Sequence, residues 1–395
     1  MNKRFVAVLV TLVLILGGTA LYVHQREDTA QPAVSAQLGQ PLLKDLKASD
    51  IATIALRDAN STLTLVKKDK SWTIAERGGF PADLDKVTEL VVKTIELKIG
   101  QVEPIGDADR ERLNLIDPGK AKQADPNKAA QAGPGKAGQA GLATSLAFKA
   151  ADGRILAELL LGKKYFRTEP QGDPAKAIGD GRFVMLPTDN KQVFVVSEPF
   201  RTASTASADW IAKDGLAIER VKSLEYKPAD GEGYKIARAT DGPDWKLERA
   251  GAGARLDNSK ANAAAYSLAK LEIEDTAASD KDTGLDQPSV LKVSTFDGLS
   301  YTLHIGTLDK DRYPVTAEIE GTPKREFEQR KDEKPEAKAA REKSFAEEMK
   351  RLEERVARDK ALQGHVLLVA KAKLAEMLKK KSELLEQKKV EPKKK

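Results

Sequence analysis

The stretch LAFKAADGRILAELLLG, residues 146–162, decides the fold because a second version of it occurs later in the chain. LKVSTFDGLSYTLHIG, residues 291–306, repeats its pattern of two apolar runs around an Asp-Gly pair, with glycine at the end. The pairs are Asp152-Gly153 and Asp297-Gly298. Asp-Gly between apolar runs is typical of a β-hairpin. The two hairpins predict that one structural unit has been duplicated.

Elements upstream of the two hairpins also repeat in order. Each copy has a short apolar run and then a predicted hairpin whose second strand carries a tryptophan, Trp72 or Trp245. These segments are 51–56 and 61–76 in the first copy, and 221–226 and 234–249 in the second. Because the two tryptophans occupy matched positions, we expect them to anchor the core, although a carbohydrate-stacking role is the alternative.

A helical pattern follows in each copy. The first comes after Pro81, which is expected in the opening turn of the helix. The predicted apolar stripes are Leu84, Val87, Leu90, Val91, Thr94 and Ile95 in the first copy, and Ala264, Tyr266, Leu268, Leu271 and Ile273 in the second. We therefore predict an α+β protein with two tandem copies of a mainly antiparallel sheet plus helix, at residues 42–212 and 213–385.

The first copy contains an insertion at residues 118–141. It consists of three octapeptides, PGKAKQAD, PNKAAQAG and PGKAGQAG, whose composition cannot bury a core. A disordered surface loop is therefore expected. GPGKAG is not a phosphate-binding loop, because it lacks the required spacer, the GK[ST] ending and a preceding strand.

The second copy contains a highly charged insertion at residues 323–363. Phe345, Met349, Leu352 and Val356 recur within it at spacings of four, three and four, which is typical of a short coiled-coil seam. Two interpretations remain open. The segment is a charged helix that projects from its domain, or it is a docking element for another subunit.

The chain ends in a basic tail, 386–395, that we expect to be disordered. Residues 324–395 carry a net charge of +8 and the remainder −2, so the pI of 9.0 reflects this region. The tail serves solubility, or it contacts anionic lipid or cell-wall polymer. No basic stripe with interleaved aromatics is visible, and nucleic-acid binding is not expected.

Residues 5–23 form an apolar run of a length that spans a bilayer, behind Lys3 and Arg4. The segment 1–24 is therefore predicted to be a single transmembrane anchor with a cytoplasmic N-terminus, followed by a flexible stalk, 25–41. Cleavage near Gly18 as a signal peptide is the alternative. Either interpretation places the bulk of the chain outside the cytoplasm, and the anchor places it at the inner membrane of a bacterium.

No catalytic, cofactor-binding or metal-binding residues are predicted. The chain has no cysteine, and its histidines, His24, His304 and His365, lack metal-ligand spacing. The stretch 280–286 only superficially resembles a calcium loop, since its glycine is misplaced and a closing Glu is missing. Ser204, Ser207 and Asp209 are expected to cap or precede a helix that carries Trp210, so they are not expected to form a catalytic set.

Several motifs together resemble the bacterial family called domain of unknown function 4340. They include SDIATIAL, SWTIAE, FPADLDKVTELV, LNLIDP, GLDQP and DWIAKDGLAIERVKSLEY, and the resemblance covers residues 42–320. It implies an inner-membrane-anchored envelope protein associated with ABC-type transport systems similar to those linked to gliding motility. It implies no activity and no catalytic residue. The octapeptide loop, the charged insertion and the lysine tail depart from the family pattern.

The sequence thus favours a non-enzymatic accessory or scaffolding protein of an envelope ABC-type transport complex. Its expected interaction surfaces are the sheet edges and the charged insertion. The alternative is an extracytoplasmic ligand- or glycan-binding module with a site between the two copies.

Overall fold

The computed structural model describes residues 37–386, except 70, 121–140, 169, 171–172, 174–175, 252, 278–282 and 331–332. The predicted membrane span 5–23 lies outside the described residues. So do most of the stalk, most of the octapeptide loop, residues 280–282 of the calcium-like stretch and almost all of the basic tail. None of the described helices combines the length and the apolar composition that crossing a bilayer requires.

A nine-stranded sheet forms from the first half of the chain, in the order β4-β3-β2-β1-β6-β7-β8-β9-β5. In β1 and β2 buried residues alternate with more exposed ones, as period-two patterning predicts, whereas the central strand β6 buries four residues in succession. The strands are β1 (Thr53–Arg57), β2 (Thr62–Lys68), β3 (Ser71–Ile74), β4 (Phe80–Pro81), β5 (Ile99–Pro104), β6 (Thr144–Lys149), β7 (Ile155–Tyr165), β8 (Gly181–Leu186) and β9 (Asp189–Val196).

An eight-stranded sheet forms from the second half, in the order β12-β11-β10-β14-β15-β16-β17-β13. Leu291 and Leu303 face each other across its central hairpin, and both are fully buried. The strands are β10 (Val221–Lys227), β11 (Tyr234–Ala237), β12 (Lys246–Leu247), β13 (Asp275–Thr276), β14 (Ser289–Thr295), β15 (Leu299–Ile305), β16 (Arg312–Gly321) and β17 (Leu367–Ala370).

The two sheets share one strand order. When β10 is matched to β1 and β17 to β9, every strand of the second sheet has a counterpart at the same place in the first, and β4 is the extra strand. The strand pairings described in both sheets are antiparallel, for example β6 with β7 and β14 with β15. The predicted α+β class with two antiparallel sheets is therefore confirmed.

Five α-helices occur in the described residues, and one is much longer than the others. The helices are α1 (Leu84–Ile95), α2 (Asp107–Arg112), α3 (Asn258–Tyr266), α4 (Pro335–Ala361) and α5 (Lys371–Leu374). α1 buries Val87, Leu90, Val91 and Thr94, as its apolar stripe predicts. α4 has 27 residues and lies within the predicted charged insertion.

Two details of the predicted helices are wrong. Pro81 belongs to β4 and lies before α1, which begins at Leu84. Tyr266 is 66% exposed, because it lies two positions beyond the buried Ala264, about 200° around α3 and so on its opposite face. The face that α3 buries is made of alanines, and Leu271 and Ile273 reach the core from beyond both helices.

By their contacts the described residues divide into two compact units. The first comprises the residues before Ser71 together with Asp85–Ala206, and the second comprises Ser71–Leu84 and Ser207 onward. The predicted division at 212/213 stays a prediction. Each unit has its own buried apolar core, which includes Leu56, Leu146 and Phe148 in the first and Leu224, Tyr301 and Leu303 in the second.

Candidate functional site

The residues considered as sites in the sequence are dispersed in the structure. His304 lies on β15, with its Nε2 3.8 Å from Glu318 Oε1, whereas the ring of His365 packs edge-on against Phe80. Burial lowers the pKa of His365. No group of three potential metal ligands occurs in the described ranges.

The serine-rich stretch around residue 205 has structural contacts. Ser207 and Asp209 lie in a short 3-10 helix that ends at the buried Trp210. Ser207 Oγ accepts a hydrogen bond from Arg77 Nε at 2.9 Å, and Ser204 Oγ accepts one from the Ala206 backbone at 3.1 Å. These contacts are those of a turn leading into a short helix.

The two matched tryptophans are both buried. Trp245 Nε1 donates to Asn262 Oδ1 at 2.9 Å, and the Arg238 guanidinium lies 4.7 Å from the centre of its ring. A ring covered in this way has no open face on which a sugar could stack. The geometry therefore agrees with a packing role for Trp245.

The sheet edges offer little free backbone among the described residues. Along β5, Gly39 N–H donates to Ile99 O at 2.8 Å and Ile99 N–H donates to Gln40 O at 3.0 Å, and the strand ends at Pro104. The other edge strands, β4, β12 and β13, have two residues each. Arg77 covers β13 by donating to Thr276 O at 2.8 Å. The expectation that these edges serve as interaction surfaces is therefore not supported.

Helix α4 differs because most of it is exposed. Leu352 and Val356, the C-terminal pair of the predicted apolar seam, are buried. Phe345, further toward the N-terminus, is half-buried against Phe327, with ring centroids 5.5 Å apart. The segment before the helix thus covers the seam where the body of the unit does not.

Arg341 fastens this leading segment to α4. Its guanidinium lies 4.8 Å from the centre of the Phe327 ring and bonds Glu333 at 2.7 Å and the Glu328 carbonyl at 2.8 Å. A planar guanidinium can stack and donate at the same time. The helix and its leading segment form one arm, here called the α4 arm, with its inner side closed and its outer side in solvent.

A buried carboxylate holds the base of the α4 arm. Asp297, in the β14–β15 turn, is 0% exposed and accepts from Arg325 Nε at 2.8 Å and Arg325 Nη2 at 3.0 Å. It also bonds Arg220, and Arg355 of α4 lies 3.7 Å away. Burial acts to raise the pKa of Asp297, but Arg325 and Arg220 outweigh it and lower the pKa.

A second buried carboxylate, Asp359, lies on α4 itself. It is 1% exposed and accepts from Tyr301 Oη at 2.9 Å and from the Ala217 backbone at 3.4 Å. Within the described chain no cation lies in ion-pair contact with it. Burial raises the pKa of Asp359, and its hydrogen bonds together with the charges of Arg355 and Arg358 offset this only in part. A buried carboxylate without an ion pair is costly and marks a candidate site.

Asp359 borders a cleft of about 210 Å³ within the second unit. Charged residues lining it are Asp214, Lys270, Glu272, Arg355, Arg358 and Asp359. Lys270 pairs with Glu272 at 2.9 Å, and Arg355 pairs with Glu219. Asp214, Arg358 and Asp359 lack an ion-pair partner in the described part of the chain. The cleft could therefore bind a small ligand that carries charges of both signs.

Sequence reasoning missed Asp297 and Asp359. Asp297 looked like an ordinary Asp-Gly turn residue. Asp359 gave a usable signal, because it continues the four-three-four spacing of the seam one step beyond Val356 and so places a carboxylate on a buried helix face.

Comparison with known proteins returned a family. The sequence profile described as Domain of unknown function (DUF4340) matches residues 72–288, a range that ends before Asp297 and α4. No curated protein and no solved structure matches the chain. The match covers more than half of the 395 residues and confirms the resemblance seen in the motifs. The chain therefore belongs to the DUF4340 family.

Proposed function

We propose that the protein is a non-enzymatic accessory or scaffolding protein of a bacterial envelope ABC-type transport complex. Residues 5–23 anchor it in the inner membrane with the N-terminus in the cytoplasm, and the two α+β units lie outside. The basic tail contacts anionic lipid or cell-wall polymer.

The α4 arm is the observation that carries this proposal. Its outer side is exposed and charged along the whole helix, while its base is held by the buried Asp297 and Asp359. A helix that only completed a core would bury a full apolar stripe, but α4 fully buries just Leu352, Val356 and Asp359. An exposed element on a firm base suits docking.

Copurification tests the proposal. Full-length tagged protein, extracted from bacterial membranes in mild detergent, is expected to retain subunits of an ABC-type transporter. A matched bait that keeps residues 1–41 but carries an unrelated soluble domain is expected to retain none. Recovery of the full-length protein without any transporter subunit, under conditions that preserve other membrane complexes, would count against the role.

The cleft beside Asp359 favours a second candidate, an extracytoplasmic ligand-binding module. Its position inside the second unit differs from the site between copies that the sequence suggested. Thermal unfolding with amino acids, amino sugars and envelope glycans tests it, since a ligand at a hundred times its Kd adds about 2.7 kcal/mol.

Arg358→Ala supplies the control for that screen. Arg358 lines the cleft and is exposed, so its loss is expected to abolish the ligand shift while leaving the unliganded protein folded. Arg351→Ala, on the exposed part of α4 outside the cleft, is expected to keep the shift. A ligand shift that survives Arg358→Ala would place the binding site elsewhere.

A further inference from the structure

The outer side of the α4 arm carries a second seam, distinct from the apolar one. Its members recur at alternating spacings of four and three, the spacing at which one helix meets another. They are Glu336, Ala340, Lys343, Glu347, Lys350, Glu354, Ala357 and Ala361, and each is exposed. We refer to this set as the outer seam.

The charges of the outer seam are not neutralised within the chain. Lys343, Glu347, Lys350 and Glu354 make no ion pair within 4 Å with any described residue. Other charges of the arm do pair, such as Arg341 with Glu333 at 2.7 Å and Arg325 with Glu348 at 3.6 Å. The inner side therefore has its partners in place, and the outer seam does not.

The four central charges of the outer seam alternate in sign along α4. When a second copy of the helix runs in the opposite direction, each acidic residue therefore lies opposite a basic one. When two copies of α4 pair antiparallel about a point between Glu348 and Met349, Lys343 lies opposite Glu354 and Glu347 lies opposite Lys350. Twofold symmetry repeats both contacts. A parallel pair in register would instead place each charge against its own copy, which is repulsive.

Alanines occupy the flanks of the same arrangement. Reversal places Ala340 opposite Ala357, and both side chains are small and exposed. Helix axes approach to about 8 Å only where the contacting side chains are small. The pattern thus places small side chains at the flanks and opposite charges at the centre.

We infer that the outer seam of the α4 arm pairs antiparallel with the same seam of a second copy of this chain. The contact is isologous and held mainly by exposed ion pairs, so it is weak and sensitive to salt. It does not depend on the proposed transport role, because the purified protein alone displays it.

Cysteine crosslinking tests the geometry, because the chain contains no cysteine of its own. Full-length Ala340→Cys and Ala357→Cys proteins are purified in detergent, mixed and oxidised. The mixture is expected to form a disulfide-linked dimer, whereas each variant alone forms little, since like positions lie about 26 Å apart along the axis at 1.5 Å per residue.

Charge exchange tests what holds the pair together. In the crosslinking background, Glu347→Lys is expected to reduce the dimer yield about tenfold at low salt, because it replaces two attractive contacts by two repulsive ones. Adding Lys350→Glu to the same chain is expected to restore the yield. Glu103→Lys, an exposed change on β5, serves as the control and is expected to have no effect.

Three results would overturn the inference. Equal crosslinking of Ala340→Cys with itself would indicate a parallel pair. The absence of any crosslink at high protein concentration would show that the outer seam contacts only solvent. If the Glu347→Lys and Lys350→Glu double variant gave as low a dimer yield as Glu347→Lys alone, charge complementarity would not be what holds the pair together.

Discussion

The Asp-Gly turns of the two copies begin with the same residues and end in opposite environments. Gly153 and Gly298 both have a left-handed φ, of 83° and 79°, which suits glycine. Asp152 is 67% exposed and accepts from the Arg154 backbone at 3.0 Å, whereas Asp297 is buried among arginines. A local motif therefore sets the backbone shape of a turn, whereas segments from elsewhere in the chain decide whether its aspartate is exposed or buried in an ion cluster.

The residues that follow β16, here called the covering segment, explain the difference. In the second copy the chain leaves β16 along the turn, where Lys324 N–H donates to Asp297 O at 2.8 Å, and α4 then contributes Arg355. Arg220 and Arg325 complete the ion cluster. The first copy has no such helix after its corresponding strand, β8, which continues directly into β9.

The largest effect is expected from Asp297→Ala. Removing the buried carboxylate leaves Arg220 and Arg325 without their central partner, at a cost of about 3–5 kcal/mol in the free energy of unfolding. The matched change Asp152→Ala is expected to cost less than about 0.5 kcal/mol, because that side chain is exposed. Urea unfolding of both variants measures the contrast, and similar losses would contradict it.

A smaller loss is expected from Tyr301→Phe. The Tyr301 hydroxyl donates to buried Asp359 at 2.9 Å, and Asp359 then keeps only the long bond from Ala217. The free energy of unfolding is expected to fall by about 1–3 kcal/mol. In the first copy Ala157 faces Phe148 as Tyr301 faces the matching Val293, and alanine has no hydroxyl to form a counterpart bond.

Tyr266→Phe is the control for this change, because Tyr266 is exposed on α3. Thermal unfolding is expected to show no shift for Tyr266→Phe and a clear one for Tyr301→Phe. Equal Tm values for the two variants would mean that the Tyr301 hydroxyl does not stabilise the base of the arm.

Gly153→Ala and Gly298→Ala sharpen the comparison from the other direction. Both glycines have a left-handed φ, and an added Cβ meets nothing within 4 Å at Gly153 and only ordinary contacts, the nearest 3.4 Å away, at Gly298. Each substitution is expected to cost about 1 kcal/mol through backbone strain alone. A much larger loss at Gly298 in urea unfolding would show that the covering segment also constrains the turn backbone.

The smallest effect is expected in the pH dependence of stability. The pKa of Asp297 is lowered in the folded state, so its stabilisation is present above the unfolded pKa of about 3.9 and is lost as pH falls through the folded pKa. Asp297→Asn is expected to flatten the decline of Tm below pH 4. Asp152→Asn is expected to leave that decline unchanged, and an equal flattening by both would contradict the assignment.

Asp359 acts in the opposite direction. Its pKa is raised by burial, so it destabilises the folded state increasingly as pH rises from the unfolded pKa through the folded one. The Tm of the wild-type protein is therefore expected to gain from Asp359 protonation before it loses the contribution of Asp297 on further acidification.

Periodicity and turn residues were enough to predict the repeated sheets. Leu63, Leu65 and Ile74 alternate in sequence and are buried in β2 and β3 as expected. The error at Tyr266 arose because it lies only two positions after Ala264, a spacing that places the two side chains on opposite faces of α3.

The candidate site was not predictable to the same degree. Burial of Asp297 depends on Arg325 and Arg355, which lie 28 and 58 positions later in the chain. No local pattern encodes such a contact. Asp359 was within reach of the seam spacing, but its burial also depends on Tyr301, which comes from a different strand.

The short or covered sheet edges have a consequence for how this chain tolerates crowding. Unpaired strand edges let proteins join backbone to backbone, a process that can propagate into fibres. With the edge of β5 occupied by Gly39 and Gln40 and ended by Pro104, that route is largely blocked in the described chain. Encounters between molecules are left to side chains, whose contacts separate again when salt or concentration changes, so dense packing need not end in aggregation.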